Sequence, residues 1–278
     1  MNKSRTFAGH VVWITGASAG IGRALATAYH RSGAQVILSA RRAAVLEDVH
    51  QALGNDSRSH ILPLDLSDLD SLPGKVSEVL AAHGRVDVLV HNAAVALRDR
   101  VVDTDLAVHQ RIMATNYFGP VVLTKAVLPS MLARRSGHFV VISSLSGRFG
   151  GPQGSAYAAS KHALEGFFES LEAEVHDDNI RVTTVVPGFI RTSILESALT
   201  GSGQVHGRNL PVHARGMDAD ECARRILKGI ARGRREILVG GMEMYTLYLK
   251  RFLPGLLAWL VRRHPMRLAR QLMGGGKL

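Results

Sequence analysis

The sequence predicts an α/β protein in which helices cover both faces of one parallel β-sheet, a doubly wound arrangement. Short runs rich in β-branched residues alternate with longer amphipathic segments, which is the pattern of repeated strand–helix units. The chain has 278 residues, of which 46% are hydrophobic, enough for one large domain with a substantial core. Crossovers between parallel strands are right-handed, and ligands bind beyond the carboxyl ends of the strands. Ligand-binding residues are therefore expected directly after strands.

Seven strands and six helices follow from these patterns. The predicted strands are Val11 to Thr15, Gln35 to Ser39, His60 to Leu64, Val86 to His91, Gly137 to Ser143, Ile180 to Val186 and Glu236 to Val239. The predicted helices cover roughly residues 21–32, 42–53, 68–83, 103–134, 155–177 and 218–232. These elements define a domain over residues 8–240, within which the irregular, Gly-, Ser- and His-rich residues 193–216 are predicted to form a substrate lid. Residues 241–278 follow as a C-terminal apolar and basic extension.

Composition narrows the function classes. The formal net charge of +11 suits nucleic acid, anionic lipid or a phosphorylated cofactor as a partner. Cys222 is the only cysteine, which excludes an internal disulfide and suits a reducing, cytoplasmic location. The basic first ten residues lead directly into the first strand, so no secretory signal is predicted. The 13 histidines are scattered without metal-ligand spacing, so no metal site is predicted.

A glycine-rich turn, Thr-Gly-Ala-Ser-Ala-Gly-Ile-Gly, joins the first strand to the first helix. Its glycines permit a tight turn and close approach of the backbone to a pyrophosphate, and the amino end of the helix supplies positive potential. Many glycine-rich segments are simply turns, but a strand before and a helix after are the context that cofactor binding requires. The candidate cofactor residues here are Gly16, Ser18, Gly20, Ile21 and Gly22.

The residues after the second strand indicate which cofactor is preferred. Ala40 stands where a fold that prefers NAD normally has an acidic residue for the ribose hydroxyls. Arg41, followed by Arg42, offers a planar charged group suited to a 2′-phosphate, and Ser18 in the glycine turn can add a hydrogen bond. We therefore predict NADP(H) in preference to NAD(H). The alternative is that both arginines only begin a solvated helix.

Tyr157 and Lys161 share one face of a predicted helix, one turn apart. An ammonium group beside a phenol favours the phenolate, so this pair predicts a tyrosine with a lowered pKa that donates and accepts protons nearer neutrality. Alone, the pair is also compatible with an ordinary helix surface.

The glycine turn followed by Tyr-x-x-x-Lys resembles the short-chain dehydrogenase/reductase family of the classical type, over about residues 8–240. The resemblance implies one Rossmann-like domain, a nicotinamide cofactor and hydride transfer between that cofactor and a carbonyl/alcohol pair. It assigns Ser144, which lies 13 positions before Tyr157, to the substrate oxygen. Tyr157 becomes the proton donor, Lys161 also binds the nicotinamide ribose, and Asn116 holds a water for proton relay.

The resemblance also assigns cofactor contacts at other strand ends. Asp65, next to Leu66, is assigned to the adenine edge, although it could equally cap a helix that starts from Ser67. The segment His-Asn-Ala-Ala differs from the family's Asn-Asn-Ala-Gly at His91 and Ala94, and we interpret His91 as structural. The remaining assigned cofactor contacts are Asn92 and Ala93 at the adenosine ribose, and Pro187, Gly188, Ile190 and Thr192 near the nicotinamide.

The C-terminal residues 244–278 contain seven Lys or Arg residues and no acidic residue. Within them, residues 252–261 are apolar but too short to span a bilayer and are broken by Pro-Gly. The composition predicts peripheral contact with an anionic membrane and a hydrophobic, lipid- or steroid-like substrate. A dimer contact or a pocket wall explains the same pattern equally well.

The predicted function is that of an NADP(H)-dependent oxidoreductase acting on a small-molecule carbonyl or alcohol. The alternative is a catalytically silent NADP(H)-binding sensor or scaffold protein. Nucleic acid is disfavoured as a partner because binding motifs and interleaved aromatics are missing. The resemblance further implies a homo-oligomer that pairs through the long helices near 103–134 and 155–177.

Overall fold

The structure is a computed structural model and describes residues 7–207 and 216–263. The strands are β1 (Val11–Thr15), β2 (Gln35–Ser39), β3 (Ser59–Ile61), β4 (Val88–His91), β5 (Gly137–Ile142), β6 (Ile180–Pro187) and β7 (Glu236–Val239). They form one parallel sheet in the order β3-β2-β1-β4-β5-β6-β7. The predicted single-domain, doubly wound α/β class is confirmed.

Helices cover both faces of this sheet. They are α1 (Gly20–Arg31), α2 (Ala43–Ala52), α3 (Leu72–His83), α4 (Leu106–Met113), α5 (Gly119–Arg134), α6 (Ser155–Val175), α7 (Ala219–Ala231), α8 (Tyr245–Phe252) and α9 (Pro254–Arg263). Side chains alternate along each strand, so β1 supplies Val12 and Ile14 to a core with α1 and α7, and Trp13 to a core with α3, α5 and α6.

The order of the strands fixes where a ligand can lie. β1 pairs with β2 on one side and with β4 on the other, so the direction of winding reverses between β1 and β4. Because all pairs are parallel, the strand ends at Thr15, Ser39, His91, Ile142 and Pro187 meet at one edge of the sheet. This reversal point opens a crevice beyond the carboxyl ends of the strands.

Four predicted strands have different bounds: β5 ends one residue earlier, at Ile142, β6 ends one residue later, at Pro187, and β3 and β4 differ by more. β3 ends at Ile61 rather than Leu64, although Leu62 and Leu64 still donate backbone hydrogen bonds to the β2 side. Pro63 lies between them and has no N–H, which interrupts the ladder. β4 begins at Val88 rather than Val86, because the Asp87 carboxylate accepts the hydrogen bond from the Val11 N–H at 2.8 Å.

The helix predicted over residues 103–134 is not uniform. It starts at Leu106, after a 3₁₀ turn at Val101–Asp103, and contains a π-helical turn at Ala114–Phe118 between α4 and α5. Pro120 has no N–H to donate to the carbonyl of residue 116, so the regular ladder is interrupted at this turn. The turn carries Asn116 and buries it completely.

The described part of the predicted lid, residues 193–207, is hydrogen-bonded to residues 96–105. Leu199 donates to the carbonyl of Ala96 at 2.9 Å and accepts from the Arg98 N–H at 2.8 Å. The Gly201 N–H donates to the Asp99 carboxylate at 2.8 Å. Residues 208–215 of the predicted lid and residues 264–278 of the predicted extension lie outside the described residues.

Candidate active site

The structure brings Ser144, Tyr157 and Lys161 together at the end of β5. Ser144 follows the strand, and its hydroxyl group is hydrogen-bonded to that of Tyr157 while accepting the Ser146 N–H at 3.1 Å. Lys161 lies one turn after Tyr157 on α6, with Nζ 5.8 Å from the centroid of the tyrosine ring. Lys161 is 2% exposed, so its amine is enclosed within the protein.

Burial, rather than the neighbouring cation, dominates the protonation of Tyr157. It raises the pKa of the phenol to about 12, against the opposing effect of the hydrogen bond from Ser144. The sequence-based prediction of a lowered tyrosine pKa is therefore wrong for this structure. At neutral pH the phenol is protonated and available as a proton donor.

The amine of Lys161 is also poorly solvated. Burial lowers its pKa to about 8, and the negative charge of Glu165 acts in the opposite direction. Nζ donates a hydrogen bond of 2.7 Å to the carbonyl oxygen of Ile142, the last residue of β5. This bond holds the amine at the end of β5.

Asn116 holds the adjoining loop in place. Its Oδ1 accepts the Val95 N–H at 2.8 Å, and its Nδ2 donates to the Val95 carbonyl at 2.9 Å. The same Nδ2 donates to the Ser160 hydroxyl at 2.9 Å, which ties the π-helical turn to α6 between Tyr157 and Lys161. All four predicted reactive residues thus belong to one contiguous region.

Apolar side chains, most of them from distant segments, pack against Tyr157, which is half-buried. Leu97, Val108, Ile112, Ala156 and Leu199 form a small buried cluster against which the tyrosine packs. Leu199 belongs to the predicted lid and Leu97 to the loop after β4. This cluster shields part of the tyrosine from water.

The glycine turn has the tight geometry that its sequence predicts. Gly16 and Gly20 have φ values of +69° and +53°, in the left-handed region that favours glycine. A Cβ on Gly22 would lie 2.2 Å from the carbonyl oxygen of Gly16 and 2.4 Å from Asn92 Nδ2. No side chain fits at this crossing of the first turn and the end of β4.

Asn92 and Thr15 join the two strand ends beside the turn. Asn92 Nδ2 donates to the carbonyl oxygens of Thr15 at 3.0 Å and Gly16 at 3.1 Å. The Thr15 hydroxyl accepts from the N–H groups of Asn92 and Ala93 and donates to the carbonyl of Val90. Asn92 and Ala93 therefore lie directly against the glycine turn.

The amino end of α1 carries no competing anion. Its N-cap residue is Ala19, which offers no side-chain acceptor, and its first turn contains no acidic residue. Ser18 and Ile21 flank this end and are half-buried. The free positive end of the helix and the glycine cradle fit the pyrophosphate of a dinucleotide.

Arg41 and Arg42 are exposed at the end of β2, where the backbone approaches α2. Asp65 lies near them: burial raises its pKa, but hydrogen bonds from Ser67 and the charge of Arg41 bring it below the ordinary value. Asp65 Oδ1 accepts the Ser67 N–H at 2.9 Å, whereas α3 begins only at Leu72. Asp65 therefore caps a local turn rather than α3, and its neighbour Leu66 is buried.

The segment after β6 also reaches the glycine turn. A Cβ on Gly20 would lie 2.8 Å from Cγ2 of Thr192. Ile190 is buried, and its backbone forms a parallel bridge with Met217. At the start of this segment, Pro187 ends β6. A Cβ on Gly188 would lie 2.1 Å from the Glu243 carboxylate. The predicted nicotinamide contacts thus form one side of the crevice.

Glu243 is a residue that sequence reasoning missed. It is buried, and its Oε1 accepts the N–H groups of Phe189 at 3.0 Å and Gly241 at 2.9 Å. A signal was present, because Glu243 is the only acidic residue of the segment 241–278 and follows two glycines. Its carboxylate holds the segment after β6 against the C-terminal extension.

A second missed group is the buried carboxylate of Glu165. It accepts the Ser143 hydroxyl hydrogen bond, and its Oε2 pairs with Arg148 Nε at 2.8 Å. Arg148 also pairs with Glu236 at the start of β7. The sequence offered one signal for Glu165: it lies four residues after Lys161, which places both side chains on the same face of a helix.

His91 has a structural environment, as its interpretation from the sequence proposed. Its Nε2 is hydrogen-bonded to the Thr124 hydroxyl at 2.9 Å, and burial together with the charge of Lys161 lowers its pKa to about 3. Within residues 7–207 and 216–263, no group of three His, Cys, Asp or Glu side chains is arranged to hold a metal ion.

Comparisons with known proteins agree with this arrangement. The family model "short chain dehydrogenase" matches residues 10–202. The chain is 44% identical to a "Dehydrogenase/reductase SDR family protein 7-like" of Drosophila melanogaster over 266 residues, covering 94% of this chain and 82% of that protein. It is 40% identical to "Dehydrogenase/reductase SDR family member 7B" of Bos taurus over 254 residues, covering 88% and 78%.

Solved structures give the same result. A short-chain dehydrogenase from Streptomyces avermitilis has a TM-score of 0.77 and 30% identity, with 96% of this chain and 99% of that chain covered. A metagenomic short-chain oxidoreductase in complex with NADP has a TM-score of 0.70 and 32% identity, with 84% and 98% covered. With the strand order, the glycine turn and the Ser-Tyr-Lys cluster, these matches show that the chain belongs to the short-chain dehydrogenase/reductase family, whose members are oxidoreductases.

Proposed function

We propose that this protein is an NADP(H)-dependent oxidoreductase that interconverts a carbonyl compound and its alcohol. The observation that carries the proposal is the cluster of Ser144, Tyr157 and Lys161 at the strand edge that also holds the glycine turn, where Gly16, Gly20 and Gly22 leave no room for a side chain. When bound, the nicotinamide supplies or accepts the hydride. The chain itself must hold that cofactor, orient the substrate and move one proton.

The protein groups have distinct roles in reduction. The Ser144 hydroxyl donates a hydrogen bond to the carbonyl oxygen, which stabilises negative charge as it develops there. Tyr157 donates its phenolic proton to the same oxygen, and its protonated state at neutral pH suits this direction. The positive charge of Lys161 stabilises the phenolate that remains, and Asn116 positions a water through which the tyrosine is reprotonated. In oxidation the same proton travels in reverse.

The cofactor residues follow the shape of the crevice. Gly16, Gly20 and Gly22 would hold the pyrophosphate at the amino end of α1, beside Ser18 and Ile21. Arg41 and Arg42 would take the 2′-phosphate, because Ala40 leaves no acid to repel it. The remaining contacts would come from Asp65, Leu66, Asn92 and Ala93 on the adenosine side, and from Lys161, Pro187, Gly188, Ile190 and Thr192 on the nicotinamide side.

The substrate is proposed to be hydrophobic. Tyr157 packs against a small apolar cluster that includes Leu97 and Leu199, and Leu199 belongs to the predicted lid. A lid of this composition would close over an apolar substrate and exclude water. Screening NADPH consumption across ketones, aldehydes, sterols and long-chain lipid carbonyls tests this substrate class.

The catalytic assignment is tested by Tyr157→Phe, which keeps the ring and removes the proton. We expect NADPH affinity to remain near that of the wild type and turnover to fall by about 10²- to 10⁴-fold. Tyr248→Phe, at an exposed position of α8, is the matched control and should turn over normally. Near-normal turnover of Tyr157→Phe would refute the assignment. Tight NADPH binding without turnover of any carbonyl by the wild type would favour a silent sensor or scaffold.

We also propose that the C-terminal extension contacts anionic membranes peripherally. Large apolar side chains are exposed at helical spacing, Tyr245, Tyr248 and Phe252 on α8 and Leu256 and Trp259 on α9. The flanking charges are all positive: Lys250, Arg251, Arg262 and Arg263. An aromatic face rimmed by cations matches an interface with anionic lipid headgroups.

The extension also lies against the loop at Phe149 and Gly150, which follows the turn bearing Ser144. A cavity of about 290 Å³ lies between α9 and the loop after Ser144, with Phe149, Leu257 and Val261 among its lining residues. No described helix is long and apolar enough to cross a membrane. An enzyme attached in this way would be cytoplasmic and membrane-associated, with its site beside the lipid surface.

Vesicle sedimentation tests this proposal with full-length protein. Phe252→Ser/Trp259→Ser should pellet less with vesicles of phosphatidylcholine and phosphatidylglycerol than the wild type does. Val101→Ser/Val102→Ser removes equally exposed apolar side chains elsewhere and should pellet normally. Equal pelleting of all three proteins contradicts membrane contact. In that case a dimer interface or a pocket wall would explain the apolar face.

The family resemblance supports one more proposal, a homo-oligomer paired through α5 and α6. Phe118, at the start of α5, is 46% exposed. Sedimentation velocity of the wild type and of Phe118→Ser distinguishes an oligomer from a monomer, and a monomeric wild type contradicts the proposal.

A further inference from the structure

The carboxylate of Glu165 is buried close to the cluster of Ser144, Tyr157 and Lys161. Glu165 is 5% exposed and lies one turn after Lys161 on α6, so both side chains leave the same face of the helix. An acidic group is rarely this buried without partners, because removing its charge from water is costly. The partners of Glu165 therefore indicate what the group does.

Each carboxylate oxygen holds a different part of the turn that carries Ser144. One oxygen accepts the hydroxyl of Ser143, the residue before Ser144. The other pairs with Arg148, four residues after Ser144, at 2.8 Å. A Cβ on Gly147 would lie 2.5 Å from both the Glu165 carboxylate and the Ser143 hydroxyl, so the turn is packed tightly over the acid.

The same carboxylate is the negative charge that acts on Lys161. Burial disfavours the ammonium form of Lys161, and Glu165 favours it. Two more titratable groups face this amine: Tyr157 on α6, and His91 on β4, whose own pKa is lowered by the charge of Lys161.

Glu165 has charged neighbours of its own. Burial raises the pKa of the Glu165 carboxyl above its ordinary value, and Glu169 acts in the same direction. The hydrogen bond from Ser143 and the charges of Arg148 and His162 oppose this rise. The Arg148 guanidinium forms ion pairs with both Glu165 and Glu236.

We propose that Glu165 is a positioning residue, which fixes the turn bearing Ser144 and compensates the buried positive charge of Lys161. This inference rests on the proposed roles of Ser144 and Lys161. It adds a carboxylate that does not touch substrate or cofactor but sets the charge and position of the groups that do.

The experiment separates the charge effect from turnover. The protein is labelled with ¹³C at lysine Cε, and the Lys161 signal is assigned with Lys161→Met and titrated with pH by NMR. In Glu165→Gln we expect the Lys161 midpoint to fall by about one pH unit, because the compensating charge is gone. Glu169→Gln, an exposed acid one turn further along α6, is the matched control and should leave the midpoint unchanged.

Kinetics test the positioning of Ser144 separately. We expect kcat of Glu165→Gln to fall at least about tenfold at pH 7, with the alkaline decline of kcat shifted to lower pH. Glu165→Asp keeps the charge and should restore the Lys161 midpoint. Ser143→Ala removes only the contact with the turn, so it should lower kcat without moving that midpoint.

The outcomes do not overlap. An unchanged Lys161 midpoint in Glu165→Gln overturns the proposal, whether or not a substrate has been found. If Glu165→Gln fails to fold, Glu165→Asp and Ser143→Ala decide the matter: a shifted midpoint in Glu165→Asp, or a normal kcat in Ser143→Ala, overturns it. An inactive wild type with the expected NMR shift would instead contradict the proposed enzymatic function.

Discussion

The amine of Lys161 donates a 2.7 Å hydrogen bond to the carbonyl oxygen of Ile142, at the point where β5 ends and the turn bearing Ser144 begins. The side chain of Lys161 on α6 is thus hydrogen-bonded to β5, the strand that Ser144 follows. The same amine has a pKa lowered to about 8 by burial, so its charge changes in a range that kinetics can reach.

The rate of carbonyl reduction should therefore depend on pH above neutrality. Below pH 8 Lys161 is charged and Tyr157, with its pKa of about 12, is protonated, which is the productive combination. As pH rises through 8 the cation is lost while the phenol stays protonated, and we expect the initial rate with saturating NADPH to fall about tenfold per pH unit. A flat profile between pH 6.5 and 9.5 would contradict this assignment.

Arg41→Ala should change the cofactor preference. Loss of a charge-assisted contact with a phosphate costs about 1.5–3 kcal/mol, so we expect kcat/KM for NADPH to fall about ten- to hundredfold while that for NADH changes little. Arg31→Ala is the control, because Arg31 is exposed at the carboxyl end of α1, away from the glycine turn. It should leave kcat/KM for NADPH and for NADH unaltered. A wild type that uses NADH as well as NADPH would remove the basis for this prediction.

Gly22→Ala should damage the cofactor crevice. The added methyl would lie 2.2 Å from the backbone oxygen of Gly16, which cannot move away as the end of a flexible side chain can. We expect destabilisation of about 1–3 kcal/mol and weaker NADPH binding, measured by thermal unfolding and by NADPH fluorescence. Gly166→Ala is the control: a Cβ there meets nothing within 4 Å, and alanine favours the helix. Similar effects of the two substitutions would argue against a crowded turn.

Buried histidines should make the fold sensitive to acid. Burial lowers the pKa of His91 and of His138 to about 3, and Nδ1 of each is buried without a hydrogen-bond partner among the described residues. Stability is full above the ordinary histidine pKa of about 6.5 and is lost as pH falls towards 3, because only the unfolded chain takes up these protons. Near pH 5 we expect a loss of about 2 kcal/mol per histidine relative to pH 7.5.

Urea unfolding of His91→Asn at the two pH values measures that loss. Asparagine cannot titrate, so the difference in unfolding free energy between pH 7.5 and pH 5 should shrink relative to the wild type. His176→Gln, at an exposed position after α6, should retain the full difference. An undiminished difference in His91→Asn would show that this histidine does not set the acid limit.

Local patterns predicted the parts of the molecule that depend on neighbours in sequence. The alternation of strands and helices predicted the seven-stranded sheet, and the spacing of Ser144, Tyr157 and Lys161 predicted three side chains that the structure does bring together. The sheet and the Tyr157–Lys161 pair need only the periodicity of strands and helices, whereas Ser144 was assigned from the spacing of the family that the chain resembles.

The remainder depends on contacts between distant segments. The pKa of Tyr157 is raised by burial. The cluster against which the tyrosine packs includes Leu97 and Leu199, and neither can be located from the motif. Glu243 reaches Phe189 across more than 50 residues. Asp65 forms a local turn with Ser67 because α3 begins later than its sequence predicted. Burial and long-range hydrogen bonds of this kind appear only once the chain is folded.

The π-helical turn at Ala114–Phe118 makes the molecule intolerant of a small genetic change. Each residue of an α-helix rotates the chain by about 100° around the helix axis. Deletion of one residue here would therefore convert the π-helical turn into regular α-helix and rotate the side chains of α4 relative to those of α5. Asn116 would then lose Val95 and Ser160 together. Insertions and deletions between related chains should therefore be confined to the surface loops and should not occur in this π-helical turn.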